Sequence, residues 1–392
     1  MTTEQYDPLA SVQAAGPPGT ISFVYGLPAP ETFPVQELER CYAYVFEEKS
    51  HIALQYAPEQ GYGPLIDFLR EKIKHDEGIT IERPQITLTG GAAQGLDLLC
   101  TMIAREGETV LVEAPTYHES LALLRNHGLR PVAVPTDEDG LRLDKLEILI
   151  DSFKKKNEKI AFLYTIPTFQ NPGGITLSED RRKSVIDIAG KNGILIVEDD
   201  VYFDIAFEKK EVTPLFTLAQ GKNVVRLGSF SKTISPGLRL GWMTGPPDII
   251  DNVIWSGVRR MGGGPNPITA IAISLFCLEG TLDSHIASVS PIYKQRRDIM
   301  LEALESSMPE AASWTRPGGG FFIWVTLPGQ ITSIEAVKKG KEKGVWFFPG
   351  DPFFAGSPAG QHLRLAFSYV QPDKIKAGIH KLGTLLRDLI SP

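Results

Sequence analysis

A chain of 392 residues, 42% hydrophobic and 22% charged, is long enough for one large domain and a smaller one, each with its own core. Its formal charge of −7 argues against nucleic acid or an anionic membrane as the main partner. Cys41, Cys100 and Cys277 stand far apart with no C-x-x-C pair, a pattern that suits a reducing, cytoplasmic setting and offers no metal framework.

Residues 1–20 read as a flexible arm containing Pro and Gly, without the basic stretch and apolar core of a secretory signal. "QGYGPLIDFLREKIKHDEGIT" predicts a turn and then an amphipathic helix with Leu65, Ile66, Leu69 and Ile73 on one face. From Gln85 onward, strand, loop and helix repeat. "QITLT" runs into "GGAAQG" and a helix to about Ile103; "TVLVEAP" precedes "ESLALLRNHG". "KIAFLYTIP" precedes a Pro/Gly loop and "SEDRRKSVIDIAGKNG", and "ILIVEDD" and "VVRLGSFS" follow. Short Val/Ile/Leu runs without polar alternation imply strands buried on both faces, hence a largely parallel sheet in an α/β fold. The apolar run "ITAIAISLFCL" is too short to span a bilayer. "DSHIASVSPIYKQRRDIMLEALESSM" reads as a long helix leaving this sheet. Beyond it, "GGGFFIWVTLP", "GVWFFPG" and "HLRLAFS" suggest a smaller α+β domain. The expected division is a large domain over 46–282 and a small one built from 21–45 and 283–392.

Open α/β sheets gather ligands at the carboxyl ends of their strands. Gly90, Gly91, Tyr117, Asn171, Asp199, Ser229 and Lys232 all fall there. The small residues of "TGGAAQG" leave helix-start N–H groups free to cradle a phosphate. Glu113 would suit a dinucleotide site, yet G-x-G-x-x-G is broken at Ala92, where backbone must approach a pyrophosphate. In "ILIVEDDVYFDI", acids ending an apolar strand need a cation or hydrogen bonds, and Asp199 is the candidate partner of a buried ligand cation. Asn171, before a proline, is by itself only a turn residue.

"LGSFSKTISPGLRLGW" carries the sharpest chemistry. Ser229 and Ser231 alternate as side chains on one face of an extended strand do. Arg239 offers a cationic fork for a phosphate dianion. Lys232, near other cations and away from bulk water, loses its proton readily and attacks a carbonyl carbon. Together these groups describe a ligand with a phosphate, a ring nitrogen that wants an anion, a phenolic oxygen and an aldehyde. Pyridoxal 5′-phosphate has all four.

The ordered set "YGLPAPETFP", "LQYAPEQGYGPL", "EAPTYHES", "QNPGG", "EDDVY", "SFSKTISPGLRLGW", "GGGFFIWVTLP" and "LRLAFS" resembles the fold type I pyridoxal-phosphate-dependent aminotransferases. It is most similar to the branch with aminoadipate, kynurenine and aromatic aminotransferases, over nearly the whole chain after residue 20. The resemblance implies that Lys232 is the Schiff-base lysine and moves the proton between Cα and C4′. It implies that Asp199 keeps the pyridine nitrogen protonated, that Tyr202 and Asn171 bond the phenolic oxygen and that Tyr117 stacks on the ring. Backbone N–H groups of Gly91 and Ala92, with Ser229, Ser231 and Arg239, would hold the phosphate. Tyr56 would reach the phosphate of a neighbouring subunit, which implies a homodimer with shared sites. Arg364 would grip the substrate α-carboxylate, with the Gly26 region closing over it and Asn171 also among the substrate-binding residues.

The implied reaction moves the amino group of an L-α-amino acid to a 2-oxo acid, commonly 2-oxoglutarate, by a ping-pong mechanism. A lyase, decarboxylase or oxidase on the same scaffold is the alternative, and a nicotinamide-dependent dehydrogenase a more distant one. A pyridoxal-phosphate-binding transcription regulator would need a DNA-binding module ahead of the matching region, which begins near Ile21. Two departures stand out: "GGAAQ" lacks the hydroxyl or amide side chain common after the glycine, and Val201 replaces a common proline. No second arginine near the N-terminus is assignable to a side-chain carboxylate, so the preferred amino acid stays open. Arg364 lies between Leu363 and Leu365, and without the resemblance it reads as a surface charge on a strand.

Overall fold

Strand and helix alternate through the first two thirds of the chain, as the apolar runs demand. The computed structural model describes residues 19–208, 212–329, 331–358 and 360–390; the arm expected over 1–20 lies almost wholly outside them. After a short strand β1 (Ile21–Ser22) and the helices Val35–Glu48 and Gly63–Glu77, eight strands build the main sheet. These are β2 (Ile86–Thr89), β3 (Thr109–Ala114), β4 (Arg130–Asp137), β5 (Gly140–Leu141), β6 (Ile160–Thr165), β7 (Leu195–Asp199), β8 (Val224–Ser229) and β9 (Gly241–Thr244). They lie in the spatial order 2-9-8-7-6-3-4-5. β4, β3, β6, β7 and β8 run parallel, while β9 is antiparallel to both β8 and β2, and β5 to β4. The helix expected near residue 65 spans Gly63–Glu77, buries Leu65, Ile66, Leu69 and Ile73, and ends at Gly78 with φ 74°.

Because side chains alternate across a strand, each strand feeds two cores. Leu111, Leu163, Ile196 and Val224 pack on one face, against helices that include Gly63–Glu77 and Pro267–Leu278. Val110, Val112, Phe162, Tyr164, Val197, Val225 and Leu227 pack on the other, under the helices Ala92–Ile103 and His118–Asn126. This parity decides which way the polar residues at the strand ends point.

A second sheet has the order β10 (Ser313–Trp314), β11 (Phe322–Thr326), β14 (His362–Ala366), β13 (Phe348–Pro349), all antiparallel. β1 pairs in parallel with β12 (Val345–Trp346). Phe23, Met300, Leu304, Ile323, Val325, Leu363 and Leu365 form its core with helix Pro372–Ile390. The 27-residue helix Thr281–Ser307 ties the two regions together, placing Leu282 in the main core and Met300 and Leu304 in the second. Among the described residues no single helix is long and apolar enough to cross a membrane.

Helices Thr281–Ser307 and Pro372–Ile390 approach so closely at Gly383 that a Cβ there would overlap the carbonyl oxygen of Ser307. Backbone cannot retreat as a flexible side chain can, so Gly383→Ala forces the helices apart. The expected loss is roughly 1–3 kcal/mol, read as a lower urea midpoint. An unchanged midpoint would show that the two helices slide freely at this crossing.

Candidate active site

Three acids end β7, and strand parity separates them. Glu198 and Asp200 turn to the face of the main core that holds buried arginines. Glu198 accepts hydrogen bonds from the N–H groups of Leu215 (2.8 Å) and Phe216 (2.9 Å), with Arg182 at 4.0 Å. Asp200 pairs with Arg226 at 2.6 Å, and Arg226 also reaches Glu77 at 2.6 Å. Asp199 turns the other way and has no cation within 4 Å among the described residues. The hydroxyl of Tyr164 donates to its Oδ2 at 2.6 Å, while Oδ1 is buried without a partner. Burial pushes this carboxyl up to about 6, against the pull of the Tyr164 hydrogen bond.

Lys232 follows β8 on the same side. Its Nζ donates to the carbonyl of Gly26 at 3.0 Å and lies 5.6 Å from the ring centres of both Tyr202 and Phe321. Burial, then the cations of Arg364 and Arg239, push the amine down to about 8, although Asp199 opposes them. Tyr202 is buried in the turn after β7, and Tyr117 leads into the helix His118–Asn126. Burial raises both phenols, so they stay protonated donors.

At the end of β2, Gly91 adopts φ 96° and opens the helix Ala92–Ile103, whose first N–H groups have no intrahelical partner. A Cβ on Gly91 would stand 3.0 Å from Nη2 of Arg239, so only glycine leaves this hollow open. Arg239, itself left-handed at φ 47°, donates Nη2 to the carbonyl of Gly90 at 3.0 Å. Ser229 pairs in register with Gly241, whose backbone abuts Gly91, and its Oγ donates to Oγ of Ser231 at 2.8 Å. Gln94 is spent locally, its Oε1 accepting from the N–H of Gly90 at 2.6 Å. The hollow is lined by backbone N–H groups, two hydroxyls and one guanidinium.

Arg364 corrects the surface-charge reading, because it is only 4% exposed. β14 is covered on both faces: Leu363 and Leu365 enter the second core, while Arg364 turns toward the main sheet. The rings of Phe322, Phe353 and Phe348 stand 4.3, 4.9 and 5.1 Å from its guanidinium carbon. Nη1 donates to Oδ1 of Asn171 at 3.0 Å and Nη2 to the carbonyl of Val24 at 2.7 Å; Nε is buried without a partner. Among the described residues no carboxylate lies within 4 Å of this guanidinium, and burial lowers it to about 10.

Lys232, Asp199, Tyr202, Arg364, Asn171 and Gly26 are thus brought together, with Tyr117 beside them and Gly91, Ala92, Ser229, Ser231 and Arg239 forming the adjacent hollow. Gly26 is packed so tightly that a Cβ would overlap the Phe322 ring. Tyr56 stands apart, 79% exposed, its ring lying against Gly262. Glu113 is used internally, accepting from Thr165 (2.7 Å), the N–H of Ile166 (3.1 Å) and Gln170 (3.2 Å), which removes the ribose-binding acid that a dinucleotide reading requires. Tyr164 and the three phenylalanines around Arg364 escape sequence reasoning. Tyr164 carried a signal, a hydroxyl inside the apolar run "AFLYTIP"; the phenylalanines carried none beyond ordinary core patterning. Two clefts of about 490 and 610 Å³ lie beyond the 170–174 loop, and neither includes Lys232 or Asp199.

The sequence model of the family described as aminotransferase class I and II matches residues 35–382. The chain belongs to this family. Aromatic-amino-acid aminotransferase 1 of Thermococcus litoralis is 36% identical over 368 residues, covering 94% of this chain and 88% of that protein. The 2-aminoadipate transaminase of Thermus thermophilus is 34% identical over 377 residues, covering 95% and 92%. A Pyrococcus horikoshii kynurenine aminotransferase, solved in complex with PMP, KYN and KYA, is 33% identical with a TM-score of 0.91, covering 99% of this chain and 98% of that one. The fold is that of the fold type I aminotransferases, and pyridoxal phosphate is the cofactor of this aminotransferase. The residues present fit it: Asp199 Oδ1 lacks a donor, the hollow at Gly91 is open, and a depressed amine stands between them.

Because Asp199 and Asp200 face different partners, their removal has opposite effects on the cofactor-free aminotransferase. Asp200→Ala leaves Arg226 buried with half its counter-charge and is expected to cost roughly 3–5 kcal/mol. Asp199 titrates near 6 when folded against an ordinary 3.8, so the folded state binds its proton more tightly. Its contribution is therefore present below about pH 4 and lost as pH rises to 6, an effect on the order of 3 kcal/mol. Urea titrations from pH 4 to 7 should show Asp199→Ala losing that downward slope and gaining on the parent. A parallel offset at every pH would contradict the burial of an unpaired Asp199.

Proposed function

We propose that the aminotransferase moves the amino group of an L-α-amino acid to 2-oxoglutarate in two half-reactions that use the same site in turn. The observation that carries this reading is Arg364, a buried cation with no carboxylate within 4 Å among the described residues, close enough to lower the amine of Lys232. Such a guanidinium is costly unless a ligand carboxylate completes it. Its bonds to Asn171 and Val24 leave Nε and one N–H on each terminal nitrogen, a fork suited to bidentate carboxylate binding.

Pyridoxal phosphate, when bound, supplies an aldehyde for amines and a pyridine ring that accepts electrons. Asp199, through its unpartnered Oδ1, would accept from the ring N–H and hold that nitrogen protonated. With Oδ1 of Asn171 occupied by Arg364, its amide nitrogen would be left, with the Tyr202 hydroxyl, to donate to the phenolic oxygen, and Tyr117 would cover the ring. The N–H groups of Gly91 and Ala92, with Ser229, Ser231 and Arg239, would hold the phosphate. Lys232, neutral in part near pH 8, would be the amine that holds the cofactor's aldehyde end and the base that takes and returns the substrate Cα proton. Arg364 fixes the carboxylate so that the Cα–H bond is the one presented to Lys232, which favours proton transfer over decarboxylation. The Gly26 segment, joined to Lys232 at its carbonyl, closes the substrate side.

The same reading includes a homodimer. Leu54, Tyr56, Val258 and Met261 are exposed, and Arg259 donates to the carbonyl of Glu59 at 2.9 Å, tying these segments into one apolar patch around Tyr56. A second copy seated there covers the patch and brings Tyr56 to its partner's phosphate. The large unit then comprises 46–282 and the small one 21–45 with 283–392, the site lying where they meet. A cytoplasmic location belongs to this reading, supported by three free, buried cysteines.

Lys232→Ala is expected to abolish the visible absorption of the lysine-bound cofactor and nearly all turnover while phosphate-mediated binding persists. Arg364→Lys keeps the charge without the fork and should remain poor with L-amino acids. The parent should react with L-amino acids but not with 1-phenylethylamine, which lacks the carboxylate. Substantial transamination by Lys232→Ala, or equal rates with the amine, would sink these assignments.

The shared site is tested by mixing inactive Tyr56→Phe and Lys232→Ala chains. Heterodimers contain one intact site, so partial activity should return. A fully active monomer would refute the shared arrangement.

A further inference from the structure

We infer that Tyr164 is a positioning residue for Asp199: its hydroxyl holds one carboxylate oxygen and so presents the other to the ring nitrogen of pyridoxal phosphate. The inference rests on the cofactor reading given above. Tyr164 stands opposite Val197 in the β6–β7 register, two residues before Asp199, on the face that both residues share. Its ring is fully buried among Val110, Val112 and Phe162, where a hydroxyl without a partner would cost about 1–3 kcal/mol. Asp199 is the acceptor that meets this need, at 2.6 Å. A carboxylate turns easily about its last torsion, and one donor at Oδ2 is enough to aim Oδ1.

The kind of donor matters as much as its position. Asp200 is held by Arg226, and its charge is neutralised there. An arginine at Asp199 would likewise quench the anion that keeps the ring nitrogen protonated. A phenol orients the carboxylate without cancelling its charge. Burial drives the Tyr164 phenol well above its ordinary range, so it remains a donor throughout the working range of the enzyme. The backbone N–H of Val201 also acts on Asp199, and Asp200 and Lys232 act through space with opposite signs; among the described residues the Tyr164 hydroxyl is the one side-chain donor within hydrogen-bond distance, and it is the contact that holds Oδ2.

The test is a double-mutant cycle on the full chain, with Tyr164→Phe made in the parent and in Asp199→Ala. Phe keeps the ring volume and removes only the hydroxyl. Equilibrium dialysis against pyridoxal phosphate should show a roughly 10- to 100-fold loss of affinity in the parent, as for one hydrogen bond to a charged group. In the Asp199→Ala background the same change should alter affinity less than twofold. Nitrogen-15 NMR of ring-labelled cofactor should show the parent ring nitrogen protonated and its signal in Tyr164→Phe moved toward neutral pyridine. Affinity and signal both unchanged in Tyr164→Phe, or equal losses in the two backgrounds, would overturn the positioning role. If Asp199→Ala binds cofactor as tightly as the parent with the ring nitrogen still protonated, the acid assignment itself falls and takes the inference with it.

Discussion

Three consecutive carboxylates at the end of a strand buried on both faces cannot all remain charged in one environment. The two-residue period of the strand resolves this by sending Glu198 and Asp200 toward Arg182 and Arg226, leaving Asp199 alone on the opposite face. The sorting makes one acid available for chemistry and turns the other two into structure. It also aligns Asp199 with Ser229 on β8 and with the helix that Gly91 opens, because those residues share its parity. The unpaired acid, the hollow at Gly91 and the amine of Lys232 all rest on that alternation.

The remaining electrostatics are set by exclusion of water. Lys232 lies close enough to Arg364 for that cation to lower its proton affinity, with Asp199 pulling the other way, and among the described residues neither makes an ion pair with a carboxylate within 4 Å. The folded chain tolerates this because both donate to backbone carbonyls, of Gly26 and Val24, and because aromatic rings line the space between them. Lys232 is left able to give up its proton near neutrality, whereas Arg364 stays charged. Two basic residues in one enclosure therefore divide into an amine that can be neutral and a cation that stays charged through side-chain type alone.

Much of this was legible in the residues. Uninterrupted Val/Ile/Leu runs identified the parallel strands, and small or polar residues at their carboxyl ends identified the groups that converge. Arg364 shows where local pattern stops. Its alternation with Leu363 and Leu365 is correct, but a strand covered on both faces looks the same as a half-exposed one until its neighbours are known. Its partner Asn171 is 193 positions away, and Lys232 meets Gly26 across 206. Tyr164 was concealed differently, since tyrosine is a good strand residue and its hydroxyl has meaning only beside Asp199.

The bond between Arg364 and Asn171 has a mechanical meaning as well as a chemical one. Arg364 belongs to a strand of the second sheet, and Asn171 to the loop after β6 of the first. A carboxylate gripped by that guanidinium is therefore fastened to both sheets at once. By linkage, whatever free energy the grip contributes also opposes any parting of the two sheets, and any change that lets them part weakens the grip equally. If Arg364 grips the substrate as proposed, the carboxylate, the substrate's smallest common feature, doubles as a crossbar between the halves of the molecule, and a ligand without one leaves that bar undrawn.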